Sequence, residues 1–80
     1  VNIVEKMKEL FAQGGIYDAI RMGKNHITKF GLHGNEEVIY RIALGYYAID
    51  RLYKAYYWIS KVPDYNPQLK ANIELEISKR

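Results

Sequence analysis

The sequence predicts an all-α fold of five helices, arranged as tandem antiparallel helix hairpins. Three observations predict it. Apolar residues recur at three- and four-residue spacings in five successive stretches. Glycine, proline and asparagine punctuate those stretches where helices would start and stop. A short pattern of residues also occurs twice, with its two alanines, Ala19 and Ala55, 36 positions apart.

Ile3 to Ala12 reads as the first helix, with Ile3, Met7, Leu10 and Phe11 on one side and Asn2 as its cap. Gln13-Gly14-Gly15 stops it, because glycine enters the tight turns that other residues resist. The second helix, Ile16 to Lys29 or Phe30, carries Ile16, Ala19, Ile20, Gly23, Ile27 and Phe30. Gly31 to Gly34 is a loop. Asn35 is placed to cap the third helix, Glu36 to Ile49, and Glu36 and Glu37 favour its positive end. The fourth runs from about Leu52 to Val62, where Pro63 forces an end. Asn66 and Pro67 restart the chain into a fifth, Gln68 to about Lys79, with Leu69, Ile73 and Ile77 on one side and Leu75 off it.

The stretch from Ile39 to Pro67 organises the rest. Two helical patterns meet there at Asp50-Arg51, and small residues fall where two helices would touch. Ala43 and Ala55 are the expected points of close approach, with Ile39, Ile42, Tyr46, Ile59 and Val62 packed around them. Short connections make neighbouring helices antiparallel.

Composition bounds the function. Eighty residues make one small domain that buries only about 60% of its unfolded surface, so its core needs good packing or a partner. The chain is 49% hydrophobic and 26% charged, a globular rather than disordered balance. It has no cysteine, which excludes disulfides and thiolate chemistry and fits an intracellular protein. No apolar run approaches the ~18 residues of a bilayer span, so no membrane insertion is expected in this segment. The chain opens on Val1 rather than Met, as expected of a piece of something longer. Its net charge of +3 is dispersed, unlike the one-sided charge of a nucleic-acid reader, so no nucleic acid is expected as partner.

The recurrence is a helix-pair repeat. Ile16-Tyr17-Asp18-Ala19-Ile20 lies over Leu52-Tyr53-Lys54-Ala55-Tyr56. Two helices per unit at a period near 34 mark a solenoid. At these residues the chain resembles the tetratricopeptide repeat. Its pattern of spaced bulky and small residues falls ungapped on Ile39, Ile42-Ala43, Tyr46, Asp50, Ala55, Ile59, Val62 and Pro67. Ile3, Met7, Leu10, Gly14 and Ala19 follow it in the first copy, while Gly23 and His26 depart from it. Asp50 replaces the usual turn glycine, and Pro63 comes early. The resemblance implies a right-handed array: one repeat over residues 1–34, a second over 35–66, and a closing helix over 67–80.

A narrower likeness runs through Glu36, Glu37, Ala43, Tyr46, Tyr47, Tyr53, Lys54, Ala55, Tyr56, Pro67, Gln68 and Lys70. These resemble the N-terminal repeats of the anaphase-promoting complex scaffold subunit of cell-division-cycle-twenty-seven type. That likeness implies a homodimer inside a ubiquitin-ligase assembly, in nucleus or cytoplasm. Ala43, Gly45, Tyr47, Lys54 and Ala55, with Ile20-Arg21 and Gly23, are similar instead to the tail-anchored mitochondrial fission adaptor, which faces the cytosol from the outer membrane. The first match is longer and has no gap.

Candidate sites follow from the third helix, which is apolar almost all round. Ile39, Ile42, Ala43, Tyr46 and Ile49 serve its own hairpin, leaving Tyr40, Leu44 and Tyr47 as a second stripe. In the repeat family the first helix of each pair lines the concave face, so the resemblance adds Val4, Lys8 and Phe11 to that stripe. The stripe then reads as a groove for a partner protein or a second copy of the chain, unless a neighbouring repeat or the fifth helix covers it. Only Lys8 is basic there, which suits an apolar contact better than a carboxylate clamp. Tyr53, Tyr56, Tyr57 and Trp58 crowd the fourth helix; one or two must point outward and could serve assembly, or pack on a following repeat. His26 and His33 have no third ligand at metal spacing, so no metal or other cofactor is expected. No acid–base or nucleophile grouping appears, and the chain does not read as an enzyme.

Overall fold

The computed structural model describes residues 2–80. Those residues form five helices: α1 (Ile3–Ala12), α2 (Ile16–Phe30), α3 (Glu36–Ala48), α4 (Leu52–Ile59) and α5 (Pro67–Ser78). No strand occurs among them.

Local chemistry sets the ends. The Asn2 side-chain oxygen accepts the Val4 N–H at 2.8 Å, and Asn66 does the same for Leu69 at 2.9 Å, so α1 and α5 begin on side-chain caps. Gly14 takes a left-handed φ of 81°, letting the Gly15 N–H reach back to the Leu10 carbonyl at 2.7 Å. Asn35 stands at the start of α3 but does not cap it. Its amide donates instead to the Gly31 carbonyl at 2.8 Å, and its oxygen lies 3.1 Å from His26 Nε2. Asn35 therefore ties the loop down rather than the helix.

Two helices end earlier than their periodicity suggests. α3 stops at Ala48, because Asp50 adopts a left-handed φ of 62° and the Arg51 N–H turns back to Tyr46 at 2.9 Å. Asp50 thus supplies the geometry usually left to glycine. α4 stops at Ile59 rather than Val62. Lys61 and Val62 donate to the carbonyls three residues back, at 3.1 and 3.0 Å, a tightened last turn ahead of Pro63. α5 in turn starts at Pro67 and stops at Ser78.

Each helix packs on the next in sequence, and α1 also packs on α3. The core comprises Met7 from α1, Ala19, Ile20 and Ile27 from α2, Val38, Ile39, Ile42, Ala43 and Tyr46 from α3, Ala55 and Ile59 from α4, Val62, and Leu69 and Ile73 from α5. Ala43 and Ala55 are both fully buried, as the sequence suggested. Close approaches also occur at Gly23 and Gly45. A Cβ on Gly23 would lie 2.8 Å from Ile42 Cγ1, and one on Gly45 2.8 Å from Ile20 Cγ1. Phe30 leaves the apolar stripe of α2: it is 62% exposed, with its ring 4.7 Å from that of His26. It stands at the end of the last turn of α2.

The two ends of the second half are joined electrostatically. The Arg80 guanidinium donates to both Asp50 carboxylate oxygens, at 2.6 and 3.2 Å, and holds that carboxyl below its ordinary pKa. A lowered folded-state value stabilises the fold above the unfolded pKa, and that contribution is lost as the pH falls through the folded one. Asp50→Asn should therefore lower Tm slightly near neutral pH and low salt. The difference should shrink as the pH falls through the lowered Asp50 range and should vanish in concentrated salt, as thermal melts in both conditions would show.

Candidate functional site

The structure treats the two predicted surfaces differently. Tyr40, Leu44 and Tyr47 are half-buried, each packed against the edge of the core, and so are Val4 and Phe11. α1 packs on α3, with Phe11 Cε1 3.3 Å from where a Cβ on Gly45 would be. Lys8 is exposed, and its ammonium lies 3.4 Å from Glu5 on its own helix. The stripe is thus an apolar strip of partly open rings with one paired cation at its rim.

Tyr40 has a cover that the sequence did not suggest. The turn between α4 and α5 folds back so that the Tyr65 ring lies 5.8 Å from the Tyr40 ring. The Tyr65 hydroxyl donates to Glu37, whose other oxygen accepts from Arg41 Nε at 2.8 Å. Hydrogen bonding to that carboxylate raises the Tyr65 pKa, because ionising the phenol would break the bond and set two negative charges together. Leu44 and Tyr47 lie one and two turns further along α3. The contact is between residues far apart in sequence, and only its flanking prolines, Pro63 and Pro67, hint that the turn is stiff.

On α4 the four aromatic residues divide in pairs. Tyr56 and Trp58 are half-buried against the core, whereas Tyr53 is 73% and Tyr57 60% exposed. Two outward rings one turn apart make a more open surface than the α3 stripe. The Lys61 ammonium lies 4.3 Å from the Tyr57 ring centroid and 5.7 Å from that of Trp58, whose ring meets Tyr57 edge-on. Such cation–π contacts hold the lysine without neutralising it.

A further convergence sits between α2 and α4. Tyr46 is buried, and its hydroxyl accepts from Lys24 at 3.2 Å. Lys54, from the other side of the sequence, brings its ammonium to 5.8 Å from the same ring. Neither lysine takes part in an ion pair among the described residues. Sequence reasoning missed this pair, although one signal was available: no acid occurs between Asp50 and Asp64.

The titratable groups elsewhere are spread out. His26 is engaged with Asn35 and Phe30, while His33 lies exposed in the loop. Among the described residues no three His, Cys, Asp or Glu gather closely enough to hold a metal ion. A hollow of about 430 Å³ beside Leu10 and Met22 contains Asp18 and Arg21, which pair with each other. Among the described residues no helix is long and apolar enough to cross a membrane. Comparison with protein-family models, with characterised proteins and with solved structures finds no match to this chain.

Proposed function

We propose that the chain is a non-catalytic protein-interaction module, a tetratricopeptide-like pair of hairpins over residues 1–34 and 35–66 with a closing helix over 67–80. The observation that carries this reading is the row of partly open apolar side chains on α1 and α3, above all Leu44 and Tyr47, which α5 does not bury. The contact pattern supports the array. Ile20 meets Gly45 while Gly23 meets Ile42, the pairing of antiparallel neighbours, and α1 packs on α3 as first helices of adjoining repeats do. Asp50 in a left-handed conformation keeps the tight turn that the repeat needs.

The groove takes a protein segment or a second copy of this chain. A photo-crosslinking phenylalanine analogue at Tyr47 should give a protein adduct in the native cell, and one at exposed Ala71 should not. An adduct of twice the chain mass identifies self-association. Equal yields at the two positions would overturn the reading. The two narrower likenesses differ in sedimentation: the ubiquitin-ligase scaffold type predicts a concentration-dependent dimer, and the fission-adaptor type a monomer.

A further inference from the structure

The exposed face of α4 is basic and aromatic, and its charges are unanswered. Six cations are engaged in the ion pairs among the described residues: Lys8, Arg21, Arg41, Lys70, Lys79 and Arg80. Lys24, Lys54 and Lys61 are outside all of them, as are Lys6, Lys29 and Arg51. Lys24 and Lys54 meet at one ring, and Lys61 lies past the end of α4, where it lines a hollow with Glu36 and Asp64 without pairing to either. Lys24 and Lys54 share the Tyr46 ring, at 5.9 and 5.8 Å from its centroid. Lys54 and Tyr57 stand three residues apart on α4, with Tyr53 beside them, and Lys61 follows in the tightened turn after Ile59, its ammonium 4.3 Å from the Tyr57 ring centroid. Asp50, the acid at the start of this stretch, is already taken by Arg80. Asp64, the acid at its end, lies in the following turn and makes no ion pair to Lys61.

We infer that this face docks an acidic, extended segment of a partner protein. Two ammoniums drawn to one buried phenol without a carboxylate between them repel each other, and an incoming carboxylate relieves that repulsion. Lys54 and Lys61 are seven residues apart, roughly 10–12 Å over the end of α4 and the tightened turn that follows it. An extended chain covers about that distance in three residues, so carboxylates at every third position meet both lysines. An apolar side chain between them rests on Tyr57 and Tyr53, rings that give large contact area with little conformational freedom to lose.

A single-stranded nucleic acid would need free ring faces for stacking. Here Lys61 lies over Tyr57 and Trp58 meets that ring edge-on, so the platform is partly occupied. Its lysines come from α2, α4 and the turn after α4, and although the Tyr46 ring they share belongs to α3, none of the groove residues named above takes part, so it stands or falls separately from that groove.

The test uses a fluorescent peptide of about twelve residues repeating Glu-Leu-Ser, titrated with the 80-residue chain and read by anisotropy. Binding should weaken with added salt and be lost when the peptide repeats Gln-Leu-Ser. Lys54→Gln and Lys61→Gln should each weaken it about two- to fivefold, the range for exposed charge pairs, and the Lys24→Gln, Lys54→Gln, Lys61→Gln combination by more than tenfold. Tyr57→Ala should also weaken it, whereas Lys29→Gln, a charge change elsewhere on α2, should not. Circular dichroism confirms that each variant is folded. Equal affinity for the Gln peptide, no effect of the triple substitution, or absence of binding at millimolar chain would overturn the inference. So would tighter binding to oligothymidylate or to phosphatidylserine vesicles at the same salt.

Discussion

Ile42→Ala is expected to remove about 2–5 kcal/mol of stability, the range for truncating a fully buried aliphatic side chain. Ile42 is fully buried in the middle of α3, and its Cγ1 lies where a Cβ on Gly23 would almost touch it. It therefore fills the space between α3 and α2. The contact is so close because the residue opposite has no side chain; the mobile end of Met7, at the same spot, is the group placed to relax into part of the void. An 80-residue domain has roughly 4–12 kcal/mol in all, so this one change takes a large share. Urea denaturation followed by circular dichroism should show a lower midpoint with an unchanged slope. A loss below about 1 kcal/mol would mean that α2 and α3 are not packed as described.

Gly45→Ala is expected to destabilise the chain although alanine is the better helix former. Relief of the glycine penalty in a helix contributes about 1 kcal/mol in favour of the change. Against it, the new methyl carbon would stand 2.8 Å from Ile20 Cγ1, 3.1 Å from its Cδ1 and 3.3 Å from Phe11 Cε1. Ile20 Cγ1 is not the free end of a side chain, so α2 must move away from α3. Overpacking of this kind costs about 1–3 kcal/mol, which leaves a net loss of up to roughly 2 kcal/mol. The physical cause can be isolated. Ile20→Ala removes the obstructing atoms, so the double substitution should cost less than the two single ones together, by about 0.5 kcal/mol or more. Strict additivity of the two would show that the close approach at Gly45 does not exist. Gly23→Ala should cost about as much, because Ile42 Cγ1 stands at the same 2.8 Å from the new methyl; the mobile end of Met7, also at 2.8 Å, can yield, but Ile42 Cγ1 cannot.

Both predictions bear on the groove. Gly23 and Gly45 set how near α2 stands to α3, and Phe11 reaches Gly45 from α1. A wider α2–α3 spacing would tilt α1 against α3 and alter the spacing of Phe11, Leu44 and Tyr47. Binding at that face should therefore be sensitive to substitutions that never touch a partner.

By itself the sequence determined the helical class, the order and approximate extent of five helices, and most of the core. The reason is local: a period of three to four residues, a capping asparagine or a proline at a first turn acts within a few residues of itself. Asn2, Gly14, Asn66, Ala43 and Ala55 all behave as their neighbours in sequence imply. Tertiary structure alone decided that Gly23 and Gly45 are points of close approach, since they matter through Ile42 and Ile20 on another helix. It decided that Tyr65, rather than α5, shelters Tyr40, and that Asn35 serves the loop instead of the helix. It also decided that Lys24 and Lys54, 30 positions apart, meet on one ring. Each of these depends on which helix faces which, and periodicity states only that a face exists.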